Sequence, residues 1–269
     1  MWLVLIRNFG LSLPHSNNDL KGALAPFLLT KKVFAYTIKQ GDNMIFQRYY
    51  FKRIDSTNNY IKNHLTELDD GAIVVSDYQS SGRGRRGAKW DSLKGKNLTF
   101  SFLKRDTYDL THHTLMQATL AVVLTLKKHG LDAKIKLPND ILVNKKKISG
   151  VLIERIHSNN IIYSIVGIGI NINQIFDEKS RTSVKMETNK STQRSSLLKQ
   201  FITIYNQITS ENVFDVFKKN VIKPAEVKYK NNVYRWIDLD KNWHCTLSDN
   251  VNTLNVPITE VEFDYTLYL

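Results

Sequence analysis

The chain has one cysteine, Cys245, in 269 residues. No intramolecular disulfide or cysteine-rich zinc site can therefore form, and a reducing, cytoplasmic setting is expected. Apolar runs long enough for a membrane span, about 18 residues, are missing. The opening apolar stretch, residues 2–6, is shorter than the ~7–15 residues of a secretory signal core. Glycine runs out early: all 12 lie at or before Gly169, so residues 170–269 belong to a different compositional regime. Acidic residues are also scarce, 25 against 38 Lys and Arg, for a formal charge of +13. Such a balance attracts polyanions without naming one; nucleotides, nucleic acid and acidic proteins all qualify. His112, His113 and His129 have no metal-ligand spacing and no cysteine nearby. What remains is a globular composition, 42% hydrophobic and 23% charged, sized for one large domain and a smaller one.

Residues 1–43 are broken by Gly10, Pro14, Gly22 and Pro26 and read as a weakly specified extension; a start at Met44, just before a patterned strand over 45–51, would explain them. After Ser56-Thr57-Asn58, which offer N-capping side chains, a helix is expected over 60–68. A buried strand follows at 72–76, then a strand through Leu98, Phe100 and Phe102 with one buried face. A helix over 114–129 stops at Gly130. Strands at 140–143 and 148–154 flank the run Asn144-Lys145-Lys146-Lys147 as a hairpin, and residues 161–172 give another strand. Residues 177–196 read as polar loop, with helices over 197–208 and 213–221. Beyond Pro224, short apolar segments separated by Asn and Asp suggest a compact β-domain. The plan is α+β: a mixed, mainly antiparallel sheet with flanking helices over 44–222, and a small C-terminal β-domain over 223–269.

The chemistry concentrates in four places. Gly82-Arg83-Gly84-Arg85-Arg86-Gly87 satisfies the G-x-G-x-x-G pattern, but it leads into a strand instead of opening a helix, so a Rossmann reading fails. It is instead a Gly-rich loop with three guanidiniums whose forks suit phosphate and carboxylate oxygens, although a solvated basic loop would look the same taken alone. Pro138-Asn139-Asp140 sets an amide and a carboxylate in a turn: Asn139 could read a ligand by paired donor and acceptor, and Asp140 could hold the Mg2+ that accompanies ATP. A plain turn is the simpler account of that tripeptide by itself. Lys147-Ile148-Ser149-Gly150 places a lysine beside a glycine that permits close backbone approach, and Gly167-Ile168-Gly169-Ile170-Asn171 puts two glycines inside a strand, where they are costly unless a ligand or another backbone passes close.

In this order, together with Ser56-Thr57-Asn58 and the stretch from Gln79 to Trp90, these motifs resemble the catalytic core of the biotin protein ligases, the biotin–[acetyl-CoA-carboxylase] ligases, over residues 45–173. Lipoate and octanoyl ligases share the fold in this family but carry other glycine signatures. The resemblance implies a class II synthetase-like core that joins biotin to ATP as biotinyl-5′-adenylate, then passes biotin to a lysine of a biotin carboxyl carrier protein domain of acetyl-CoA carboxylase or another biotin-dependent carboxylase. It implies biotin contacts from Ser56, Thr57, Asn58, Gln79, Gly82, Arg83, Arg85, Lys147 and Gly150. Adenylate contacts would come from Arg86, Trp90, Asn139, Asn171 and Lys147, with Mg2+ at Asp140. Arg83, Arg85 and Lys147 would be the reactive cations, on a loop that closes over the intermediate. Leu137 stands where the family usually has Trp, and the C-terminal segment lacks the family's glycines. Residues 1–43 show no winged helix-turn-helix, so specific DNA binding is not expected; a homodimer stays open.

Overall fold

The computed structural model describes residues 32–34 and 47–263. Eight strands form the main sheet: β1 (Lys32–Phe34), β2 (Arg48–Phe51), β3 (Ile73–Ser76), β4 (Leu98–Asp106), β5 (Lys134–Lys136), β6 (Asp140–Val143), β7 (Lys146–Ser158) and β8 (Ile161–Ile170). Their spatial order is β1-β2-β3-β4-β8-β7-β6-β5. Only β2 and β3 pair in parallel; the other neighbours are antiparallel. Among the described residues five α-helices accompany the sheet: α1 (Thr57–Asn63), α2 (Thr111–Lys128), α3 (Val184–Thr188), α4 (Arg194–Gln207) and α5 (Val213–Asn220). The mixed, mainly antiparallel α+β expectation holds.

Alternation along the central strands divides the core into two layers. Phe100, Phe102, Val166, Ile168 and Val151 face α2 and α4, where Phe201 and Tyr205 meet Phe100 and Phe102 edge-on at 5.1 and 5.0 Å. Leu103, Tyr163 and Ile165 face the other way, under Ile61 of α1. Strand β4 was expected to have one buried face, but Thr99 and Ser101 are as buried as Phe100 and Phe102, with which they alternate. Their hydroxyls lie beneath α1 and its neighbours, where hydrogen bonds replace solvent.

Other boundaries moved for local reasons. Helix α1 starts at Thr57, three residues before the expected helix, and ends by His64, whose backbone has left the helical region. Ser56 is its extended N-cap but makes no side-chain capping bond. The polar stretch 177–196 contains α3, capped by Ser183, whose hydroxyl accepts from the Met186 amide. Of the strand expected over 45–51, residues 47–51 are described, and the strand there is Arg48–Phe51. Three residues of the supposed extension, Lys32–Phe34, pair with β2 along the sheet edge; the rest of residues 1–43 lies outside the described residues.

The second sheet contains β9 (Glu226–Tyr229), β10 (Asn232–Leu239), β11 (His244–Ser248), β12 (Thr253–Pro257) and β13 (Glu262–Phe263), in the order β12-β11-β10-β9-β13. It manages without glycine because Asn and Lys take the left-handed turn positions. Lys230 and Asn231 join β9 to β10 with φ of 47° and 66°, the two-residue geometry also seen at Asn144-Lys145 and Asn159-Asn160 in the main sheet. Trp243 seats this sheet on the helices: its ring lies 5.0 Å from His112 of α2 and 5.8 Å from Phe217 of α5. No helix among the described residues is long and apolar enough to cross a membrane.

Candidate active site

The α1-side face of the sheet turns from apolar to polar along its length. Opposite Ile165 stands Leu103; two residues on, Ser101 pairs with Gly167 and Leu152 sits on its other side; two further, Thr99 and Gly150 flank Gly169. Glycine at 167 and 169 makes a floor onto which other groups lie flat. A Cβ at Gly167 would come within 2.3 Å of Asn58 Oδ1, and one at Gly169 within 2.2 Å of the Trp90 indole. The strand glycines thus serve close approach, here of the Asn58 and Trp90 side chains, where the sequence suggested a ligand or another backbone. Above this floor is a cavity of about 240 Å³.

One wall is a chain of hydrogen bonds running from Gln79 to Arg83. Gln79 Oε1 accepts from both the Thr57 amide at 2.7 Å and the Thr57 hydroxyl at 2.9 Å. The Thr57 hydroxyl is 2.6 Å from Ser101 Oγ, and Ser101 donates to Asn58 Oδ1 at 2.5 Å. Asn58 Nδ2 in turn donates to Glu154 Oε2 at 2.7 Å. Both ends are pinned: the Thr57 N–H requires the oxygen of Gln79, and the Glu154 carboxylate requires the nitrogen of Asn58. Three oxygen–oxygen contacts lie between those ends, yet Thr57 and Ser101 bring only two hydroxyl protons. The chain is short of one donor.

The arginine loop folds as a small hairpin. Trp90 N donates to Gly82 O, Gly84 N to Ala88 O, and Arg85–Gly87 make a single tight turn, with Arg86 at φ 52° and Gly87 at φ 77°. Gly82 is needed here because a Cβ would fall 2.4 Å from Trp90 O. Arg83 donates to Asn59 Oδ1 at 2.6 Å and pairs with Glu154 at 3.1 Å. Arg85 donates to Asn139 Oδ1 at 3.0 Å, while the other end of that amide donates to Val151 O at 2.8 Å. Burial, reinforced by Arg86 and opposed by Asp140, lowers the pKa of Arg85 from its ordinary value; a guanidinium stays charged all the same.

Lys147 lies in β7, one residue inside the strand, because the hairpin turn uses only Asn144 and Lys145. Its ammonium meets Asp140 Oδ1 at 2.7 Å. Asn171, buried at the end of β8, donates to Thr182 O at 3.0 Å, tying the segment before α3 to the sheet.

Of the residues singled out in the sequence, Ser56, Thr57, Asn58, Gln79, Arg83, Arg85, Trp90, Asn139, Asp140, Lys147 and Gly150 line this one cavity. Gly82, Arg86 and Asn171 do not. Gly82 and Asn171 shape its surroundings, and Arg86 faces a second cleft of about 630 Å³ between the main sheet and the second sheet. The two spaces share Arg85, Asn139, Val151 and Leu152. Thr99, Ser101 and Glu154 were missed, since a polar residue alternating with apolar ones in a strand reads as solvent-facing; Leu152 was missed because an apolar strand residue reads as core. Four cations line the cavity, Arg83, Arg85, Lys89 and Lys147, against one carboxylate, Asp140. Lys147 is paired with Asp140 and Arg83 with Glu154, which leaves a net positive lining that attracts anions.

Comparison with known proteins agrees with this geometry. Residues 50–171 match the biotin/lipoate A/B protein ligase family. The bifunctional ligase/repressor BirA of Escherichia coli is 34% identical over 123 residues, which is 44% of this chain and 38% of that protein. Biotin–protein ligase 2 of Arabidopsis thaliana is 31% identical over 185 residues, 65% of this chain and 55% of that one. The chain thus spans between 38% and 55% of the length of these two relatives. A biotin protein ligase from Aquifex aeolicus, solved with biotin and ATP, superposes with a TM-score of 0.68 at 24% identity, covering 83% of this chain and 99% of that one. The fold is therefore the one this biotin protein ligase structure has, and residues 50–171, which include the glycine floor and the arginine loop, carry the match to the biotin/lipoate A/B protein ligase family.

Proposed function

We propose that this chain is an ATP-dependent biotin protein ligase. The observation that carries the choice of biotin is the missing donor in the hydrogen-bond chain. A ligand N–H directed at Gln79 or Thr57 supplies the missing proton: the Thr57 proton then serves Ser101, the Ser101 proton serves Asn58, and the ligand stands in for the proton absent between the Thr57 and Gln79 oxygens. Biotin has a ureido group with N–H donors, whereas the dithiolane of lipoate and the alkyl chain of octanoate have none. Gln79 Oε1 keeps the Thr57 amide in either case, so what the N–H adds is one net hydrogen bond, ~0.5–1.5 kcal/mol, which favours biotin over the other two acids.

In the first step a biotin carboxylate oxygen attacks the α-phosphorus of ATP, the bond from that phosphorus to the bridging oxygen breaks, and pyrophosphate leaves. Negative charge accumulates between two anions, so fixed cations lower the barrier. Arg85 and Lys147 suit this role because their present partners, Asn139 and Asp140, can be exchanged for phosphate or carboxylate oxygens. Trp90 and Asn139 flank the adenylate, while Asn171 braces its side of the site. Closure of the arginine loop, Gly82 to Arg86, excludes water from the mixed anhydride. Asp140 is one oxygen donor that would reach a magnesium ion brought in on the nucleotide's phosphates; among the described residues no group of three or more His, Cys, Asp or Glu side chains gathers. Such an ion would neutralise phosphate charge.

In the second step a lysine amine of a biotin carboxyl carrier protein domain attacks the acyl carbon and AMP leaves. The cleft beside the β-domain is the approach for that lysine, because it opens into the cavity at Arg85 and Asn139. The reaction belongs in the cytoplasm, where ATP and carboxylases meet. DNA affinity should be only the weak, salt-sensitive attraction of a basic surface. The test is exchange of labelled pyrophosphate into ATP. Exchange with biotin and Mg2+, and none with lipoate or octanoate, supports the reading; equal exchange with lipoate refutes it.

A further inference from the structure

Glu154 belongs to none of the sequence motifs, yet two parts of the site meet on it. It pairs with Ile165 in the sheet, two residues beyond Leu152 and Gly167, and so shares the cavity's face of β7. One of its oxygens takes the Asn58 amide at 2.7 Å, and the other takes Arg83 at 3.1 Å. Arg83 and Asn59 make a further bond at 2.6 Å, which fixes the base of the arginine hairpin to α1 as well as to β7.

An ionised carboxylate only accepts, so Glu154 dictates which end of Asn58 faces Ser101. With Glu154 in place, Asn58 presents its oxygen, and the chain through Ser101 and Thr57 is one donor short. Without the charge, the Asn58 amide can turn over in the same space above Gly167 and donate to Ser101. Ser101 then donates to Thr57 and Thr57 to Gln79, and the chain is complete with no ligand. We infer that Glu154 is a positioning residue: it sets the direction of the hydrogen-bond chain so that the pocket calls for an external N–H, and it latches Arg83 against the sheet. Biotin as that donor rests on the function proposed above; the latch does not.

The two parts separate experimentally. Glu154→Gln keeps the shape and removes the charge; Arg83→Gln breaks the same ion pair from its exposed side. Limited trypsin digestion of the ligand-free protein, following cleavage after Arg85, reads the latch alone. Cleavage should be roughly three- to fivefold faster in both variants, as suits a partly exposed ion pair. In Glu154→Gln the biotin Kd and the biotin KM for pyrophosphate exchange should rise about tenfold, the worth of one hydrogen bond, while kcat at saturating biotin stays within about twofold. A merely structural residue would lower kcat and the melting temperature together. Unchanged cleavage in both folded variants overturns the latch, and an unchanged biotin Kd in Glu154→Gln overturns the control of direction. If the wild-type chain binds no biotin, the functional reading falls while the digestion still judges the latch.

Discussion

Gly167→Ala tests whether the glycine floor exists to seat Asn58. Gly167 has no positive φ, so alanine suits the backbone, and the unfolded chain loses freedom, a gain of about 0.4–1 kcal/mol in stability. The difficulty is the new methyl group, placed 2.3 Å from Asn58 Oδ1 where contacts under 3.0 Å do not persist. Asn58 must retreat by at least 0.7 Å, the difference between those two distances. Its bonds to Ser101 and Glu154, at 2.5 and 2.7 Å, cannot both follow. One neutral and one charge-assisted bond together hold about 2–4 kcal/mol. Losing roughly half of that, about 1–2 kcal/mol, weakens biotin binding by roughly 5- to 30-fold. Melting temperature should move little, because the gain in the unfolded chain opposes the loss. Gly84→Ala is the control: its nearest neighbour would be at 3.5 Å, an ordinary contact. Titration calorimetry with biotin and a thermal melt on both variants suffice. Biotin affinity within twofold of wild type in Gly167→Ala would refute the argument that Asn58 is held flat for recognition.

Gly169→Ala would displace the Trp90 indole from a 2.2 Å approach, and should alter tryptophan fluorescence and slow adenylate formation more than Gly150→Ala, whose Cβ has 3.4 Å of room; equal effects would count against the floor. Lys147→Ala should slow pyrophosphate exchange by about ten- to a hundredfold, the loss of one charge-assisted bond to the reacting anions, whereas Lys145→Ala at the turn should leave it unchanged. Burial pushes the Cys245 thiol up to about 12, so the folded protein should resist a thiol reagent at pH 8 and react fully once denatured; rapid native labelling would contradict the packing of the second sheet. Burial lowers the pKa of His112 from its ordinary value, which favours the neutral ring where it stacks on Trp243. The unfolded chain therefore binds more protons below pH 6.5, and stability should fall as pH drops from 7 to 5.5. His112→Phe should remove part of that fall, and an identical pH profile in the variant would argue against it.

The parts of this protein that the sequence alone determined are those whose physics is local. Alternation of Phe100 and Phe102 with small neighbours marks a strand, Gly130 ends α2, and two-residue turns at 144–145 and 159–160 need no distant partner. The arginine loop, Lys147 and Asn139 were legible because their chemistry is carried by contiguous side chains of unusual type. Tertiary structure decided the rest. Thr99 and Ser101 look like the wet side of a half-buried strand until α1 and the arginine loop cover them. Glu154 looks like a surface acid until antiparallel pairing of β7 with β8 brings it over the same face as Gly167 and within reach of Asn58, 96 positions earlier in the chain. The hydrogen-bond count that favours an N–H ligand exists only after those strands and α1 have met. Alternation gives each strand two faces with equal claim to solvent, and the sequence of one strand does not say what will lie across it.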